Sequence, residues 1–304
     1  MTTRAVVIGS GHYLPERIVP NAEFEQIVET SSEWIVARSG IERRHFAAEG
    51  EMTSDLAAHA ARAALADAGI TANELDALIV ATSTADLTFP SAATMVQAKI
   101  GMMGGFAFDV QAVCAGFIFA MAQANALILS GQAKRVMVIG AETFSRLMDW
   151  TDRTTCVLFG DGAGAVILEA QTGAGSARDR GILACDLNSD GRHRELLYVD
   201  GGVSTGTVGH LRMEGKEVFR HAVEKLAQTA QNALDKAGLD SGDVDWIVPH
   251  QANIRIIEGT AKKMQVSMDK VIVTVQDHGN TSAASIPLAL SVGKARGQLR
   301  EGDL

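Results

Sequence analysis

Residues 65–83 read LADAGITANELDALIVATS, and residues 234–252 read LDKAGLDSGDVDWIVPHQA. The two share one frame: a helix ending at Ala-Gly, a polar turn, an aspartate, and then an apolar strand. Glycine after a helical run is a common left-handed terminator, and the apolar run that follows has the length of a buried strand. Long helical patterns precede both copies, at 54–67 and 217–236. A second match joins FDVQAVCAG (108–116) to VTVQDHGNT (273–281) through a Val-Gln pair. The separations are nearly equal, 169 and 165 residues. A repeat this long is a duplicated domain rather than a solenoid unit, with halves at 1–170 and 171–304.

Working outward, the first half alternates strand and helix: strand 5–9, helix 54–67, strand 76–82, helix 91–100, strand 106–113, helix 115–130. Such alternation predicts an α/β fold of mainly parallel sheets covered by helices. Two packed copies bring corresponding strand ends together. Cys114 ends a strand of the first half; the second half offers VPHQAN (248–253) and HGNTSAAS (278–285) in related places. Duplication thus predicts one cleft holding Cys114, His250 and Asn280.

Position alone leaves two readings of Cys114. Free cysteine is commonly a small buried hydrophobe. A cysteine at a strand-to-helix junction also meets the positive end of the helix dipole, which favours the thiolate. Small neighbours, Ala115 and Gly116, leave room for a substrate. A cysteine, a histidine and an asparagine on three strand ends fit nucleophilic attack on a carbonyl, with the nitrogen groups as oxyanion donors.

The chain of 304 residues is 47% hydrophobic and 21% charged, an ordinary soluble profile. A net charge of −9 argues against nucleic acid as a general partner. Within it, Lys216, Arg220, Arg255, Lys262 and Lys263 form a locally basic region, either a solvated helix face or a landing patch for an acidic partner. Cys114, Cys156 and Cys185 have neither disulfide nor zinc spacing, which predicts a reducing, cytoplasmic setting. The first residues carry one arginine and a short apolar run, unlike a signal peptide. The longest apolar stretch follows Cys114 and is broken by Gln123 and Asn125, so no membrane span is expected.

The segments AVCAGF (112–117), PHQANIRII (249–257) and HGNTSAASIPLAL (278–290) resemble the three active-site segments of the 3-oxoacyl-acyl-carrier-protein synthase III family. The resemblance extends to TSSEWIVARSGIERR (30–44), TFPSAA (88–93) and TDRTTCVLFGDGAGAVIL (151–168). Chain-elongating ketosynthases share the cysteine but use two histidines, so Asn280 favours the initiating class. The resemblance implies a thiolase-like fold of five layers, αβαβα, a homodimer, and a ping-pong reaction without metal or redox cofactor. Cys114 would take an acyl group, acetyl by expectation, from acyl-CoA. His250 and Asn280 would then stabilise the enolate left when malonyl-ACP loses carbon dioxide. Trp34 and Arg153 match a pair that sandwiches the CoA adenine, Arg38 matches a CoA phosphate contact, and Thr30 lies in the same segment. Phe89 matches a residue lining the acyl pocket across the dimer. Lys216, Arg220, Arg255 and Lys262 become a docking rim for acidic acyl carrier protein.

Starter enzymes of polyketide, quinolone or branched-chain lipid synthesis share these motifs, and pocket shape separates them. A non-catalytic scaffold that binds acyl carrier protein would need none of Cys114, His250 and Asn280. GDGAGA (160–165) lacks the dinucleotide glycine spacing and is read as a tight turn near the site. Cys156 and Cys185, in or beside apolar strand patterns, are read as inert. The sequence ends at QLREGDL, where the family is expected to continue with a strand and a glycine-rich segment that supplies a second oxyanion donor.

Overall fold

A computed structural model describes residues 1–304. Its first half begins with strands β1 (Thr2–Tyr13) and β2 (Arg17–Pro20), helices α1 (Asn21–Phe24) and α2 (Ser32–Ser39), and strand β3 (Arg43–Phe46). There follow α3 (Thr53–Ala68), β4 (Ala77–Ala81), α4 (Ala92–Ile100), β5 (Phe106–Val110), α5 (Gly116–Leu129), β6 (Arg135–Thr143) and β7 (Asp161–Gly173). The second half contains β8 (Leu197–Val199), β9 (Leu211–Met213), α6 (Gly215–Ala237), α7 (Ile254–Lys263), α8 (Val275–His278) and α9 (Ser285–Ala295).

Local chemistry sets the helix ends. Gly69 adopts φ 67 to stop the alanine-rich α3. Ser31 caps α2 by accepting the Trp34 N–H. Asp109, at the end of β5, takes the N–H groups of Ala92 and Ala93 at 2.8 and 2.7 Å, which pins α4 to its neighbouring strand.

Five strands form the central sheet in the order β1-β7-β6-β4-β5. It is mixed rather than mainly parallel: β4 runs parallel to β5 and β6, while β7 is antiparallel to β6 and β1. Alternate residues serve opposite faces. Leu78, Val80, Met137 and Ile139 join the core under α3 and α4. Ala77, Ile79, Val136 and Val138 join the core under α5. Every residue of β4 is buried, as expected of a strand covered on both sides.

GDGAGA is not a turn: from Asp161 onward it is the start of β7, paired with β6 and β1. Its glycines admit a neighbouring backbone. A β-carbon at Gly164 would run into the backbone of Pro287 and Leu288, so α9 sits directly on the strand.

The second half has less regular sheet. Residues 246–250 and 271–274 are joined by one parallel bridge, Ile247 to Val271. Its correspondence with the first half shows at two elbows. Val113 has φ 49 and opens the 3₁₀ turn Val113–Ala115 ahead of α5. Ser282 has φ 48 and opens the 3₁₀ turn Ser282–Ala284 ahead of α9. These elbows lie 169 residues apart, so Ala283 is the counterpart of Cys114. The Val-Gln match at 165 residues joins the end of β5 to the first residues of α8, and that four-residue helix makes up the difference.

Candidate active site

Cys114 is the middle residue of the first elbow and is partly exposed. Val113, a β-branched residue in the left-handed region, marks the turn as strained. The thiol donates to Ser282 Oγ on the second elbow at 3.5 Å. Burial pushes the thiol up to about 11, against the hydrogen bond to Ser282, and the Glu142 charge pushes it further. This direction is opposite to the thiolate that a helix end is expected to favour.

Asn280 reaches the same place along the second elbow. Its Oδ1 accepts the Ser282 N–H at 2.9 Å, which leaves the amide N–H groups to serve as donors. Its backbone is clamped between Leu158 and Gly160, by Asn280 N–H to Leu158 at 2.9 Å and Gly160 N–H to Asn280 at 3.0 Å. Arg44, fully buried below, donates to the carbonyls of Val19 and Val157 and to Asn21. Its side chain packs under Gly160 and Gly279.

His250 follows the second half's extended segment and places Nδ1 2.6 Å from Ser285 Oγ. Burial holds its pKa down to about 4, so the ring is neutral at neutral pH. Residues 280–285 thus connect all three predicted groups: Cys114 through Ser282, Asn280 directly, and His250 through Ser285.

A second group gathers at Trp34 on α2. The guanidinium of Arg38 lies 4.6 Å and that of Arg153 5.2 Å from the indole ring. Arg153 also donates to the Glu29 carbonyl at 2.7 Å. An adenine between Trp34 and Arg153 needs Arg153 to move outward, because the present spacing holds no second ring. Thr30 Oγ1 is buried without a partner beside them.

The basic residues occupy two touching helices. Lys216 and Arg220 lie on the first turns of α6, and Arg255 and Lys262 lie on α7. Arg255 stacks over Phe219 at 5.5 Å, while Arg220 is paired with Glu217 at 2.6 Å. Phe89 is 82% exposed, far from any core. Cys156 is buried and Cys185 half-buried; burial raises both thiols.

Sequence reasoning passed over Ser282, Ser285, Gln251 and Glu142. Gln251 is buried and ties the Pro249 and Ile272 carbonyls to the N–H groups of Thr274 and Val275. Glu142 had a readable signal, a carboxylate ending the apolar run VMVIGA.

Residues 108–191 match the family described as 3-Oxoacyl-[acyl-carrier-protein (ACP)] synthase III, and residues 234–304 match its C-terminal domain. A beta-ketoacyl-[acyl-carrier-protein] synthase III of Ruegeria pomeroyi is 77% identical over 304 residues, covering 100% of this chain and 94% of that relative. The chain belongs to the 3-oxoacyl-[acyl-carrier-protein] synthase III family. Among solved structures, the synthase III of Aquifex aeolicus superposes with a TM-score of 0.92 at 44% identity, covering 99% of this chain and 94% of that one. The priming beta-ketosynthase of the R1128 polyketide pathway gives 0.92 at 34% identity, covering 99% and 90%. The fold is accordingly the thiolase-like α/β fold of this family. Membership carries its chemistry, the condensing acyl transfer that initiates fatty acid synthesis. The family uses acyl-CoA and acyl carrier protein as substrates.

Proposed function

We propose that the chain condenses acetyl-CoA with malonyl-ACP by a ping-pong route through an acyl-Cys114. The observation that carries this reading is the meeting of Cys114, His250 and Asn280 around residues 280–285. Cys114 sulfur attacks the thioester carbon and CoA leaves. Malonyl-ACP enters next, and loss of carbon dioxide leaves its electron pair in an enolate. His250 and Asn280 donate hydrogen bonds to the enolate oxygen. The carbanion then attacks the acyl carbon, and collapse expels the Cys114 thiolate to give 3-oxoacyl-ACP and carbon dioxide. The bond changes balance with the two thioesters and one proton from solvent, which supports a reaction without a resident cofactor.

Trp34, Arg38, Arg153 and Thr30 form the CoA nucleotide site in this reading. The unpartnered Thr30 hydroxyl and the two guanidiniums suit adenine and phosphate. The rim of Lys216, Arg220, Arg255 and Lys262 receives the acyl carrier protein. A homodimer pairs the β5 edges: β5 ends the sheet with half-covered residues, and Phe89, Met103 and Phe106 stand exposed around it. Phe89 would then reach the partner's acyl pocket, and a solution mass of one chain would overturn the arrangement. The unpaired thiols support a cytoplasmic setting. No helix is long and apolar enough to cross a membrane.

Intact-mass measurement after mixing with acetyl-CoA tests the reading. The protein should gain one acetyl group and Cys114→Ser none, since a serine hydroxyl is a far weaker nucleophile toward a thioester than a cysteine thiol. Asn280→Ala should still acylate but release carbon dioxide from malonyl-ACP ~10²–10³ times more slowly. Acetylation of the Cys114→Ser protein overturns the assignment, and a set of longer acyl-CoAs reads chain preference.

A further inference from the structure

Glu142, the penultimate residue of β6, has no exposure to solvent, and the scheme above gives it no task. Its partners are uncharged donors at the end of β4: Thr84 Oγ1 at 2.6 Å, Thr82 Oγ1 at 3.3 Å, and Ser83 N–H at 3.1 Å. Burial pushes the carboxyl up to about 7, against the hydrogen bonds from Thr84 and Ser83 and the influence of the nearby Ser282 hydroxyl and Ala283 N–H.

Ser282 stands between this carboxylate and the thiol. It accepts from Cys114 at 3.5 Å, is fully buried, and holds φ 48. Gly140 and Glu142 share one face of β6. A β-carbon at Gly140 would run into the Ala283 carbonyl, so the elbow rests directly on that face. Left-handed backbone at a side-chain-bearing residue persists only where the surroundings fix it, and it gathers at active sites. The charge acting on Cys114 is that of Glu142, and His250 is a second titratable group of the cleft.

We propose that Ser282 and Glu142 form the proton acceptor for Cys114, the Ser282 hydroxyl taking the thiol proton while passing its own to the carboxylate. The proposal rests on Cys114 being the acylated nucleophile. As the S–H bond breaks, its electron pair forms the new bond to the acyl carbon. CoA departs as a thiolate and takes a proton from water. Glu142 keeps its proton through the acyl-enzyme stage. When enolate attack expels the Cys114 thiolate, the proton returns by the same two transfers. Moving the proton to Glu142 avoids two adjacent negative charges in a dry site, and a base within reach can act as the carbon–sulfur bond forms, without a free thiolate. Ser282 touches the reacting sulfur; Glu142 acts through it.

The test is the rate of acyl-enzyme formation from acetyl-CoA, measured from about pH 5.5 to about 9.5 for the parent, Glu142→Gln and Ser282→Ala. The parent rate should rise through an ionisation near 7 and level off. In both variants the rate at neutral pH should fall about 10²-fold and climb steadily toward alkaline pH, following the thiol itself. Either variant, folded and keeping the parent profile, overturns the relay; so does a loss of equal size at every pH. Should Glu142→Gln fail to fold, Ser282→Ala decides alone. A parent that takes up no acetyl at Cys114 overturns the underlying reading, and the relay with it.

Discussion

The Nδ1 of His250 lies 2.6 Å from Ser285 Oγ, and the same oxygen accepts the Gln251 N–H at 3.3 Å. An oxygen that accepts from Gln251 has its own proton to give. Ser285 can give that proton to Nδ1, and the enolate-binding role proposed for His250 requires this arrangement, with the ring proton on Nε2. In that arrangement the imidazole, neutral because burial holds its pKa to about 4, presents an N–H donor at Nε2. Asn280, with Oδ1 engaged by Ser282, is held in the same donor state.

Ser285→Ala should release this tautomer without removing the ring. Carbon dioxide release from malonyl-ACP should fall, by less than the ~10²–10³ that deleting a donor outright costs. Acylation by acetyl-CoA should change little, because it draws on the other side of the elbow. Both rates are measured in one preparation. An unchanged decarboxylation rate would show that the Ser285 contact does not set the donor.

Arg255→Glu addresses docking. Arg255 is exposed on α7 and stacks over Phe219. Reversing its charge should raise the KM for malonyl-ACP several-fold while acetyl-CoA priming stays near the parent rate. Raising the salt concentration should reproduce part of the loss in the parent, since exposed charges are screened. Equal losses in both half-reactions would mean that Arg255 supports the fold instead.

The repeated frame at 65–83 and 234–252 made the fold readable because turn chemistry and apolar runs are written in residue type. The same frame singles out Cys114, His250 and Asn280, which the structure gathers around residues 280–285. Ser282 could not: its meaning lies in a backbone angle and in the facing thiol, and neither is carried by the letters TSAAS. GDGAGA was misread because glycine signals both turns and close approach of backbones, and only the seat of α9 on Gly164 separates the two. Arg44 looks like a surface charge beside Arg43, yet it is fully buried, with backbone carbonyls and Asn21 for partners. The mixed sheet escaped because strand order and direction arise from long-range pairing of β1 with β7.

His278, two residues before Asn280, carries a prediction about acid. It is 6% exposed, and its Nδ1 is buried without a partner. Burial lowers its pKa to about 4; His45, His12 and Arg296 push the same way, and Asp277 opposes them. The unfolded chain, with an ordinary value of 6.5, binds more protons between those limits, so stability rises with pH there. The contribution is complete above 6.5 and drains away as pH falls toward 4. Glu142, raised to about 7, works in the opposite sense over part of this range, because the folded chain then holds the extra proton. The informative quantity is therefore the difference between the parent and His278→Phe, in which Glu142 and His250 are common to both. Unfolding in denaturant should show the parent losing about 1–3 kcal/mol relative to the variant between neutral pH and about 4.5. Parallel stability curves across that interval would mean that His278 is not kept neutral by the fold.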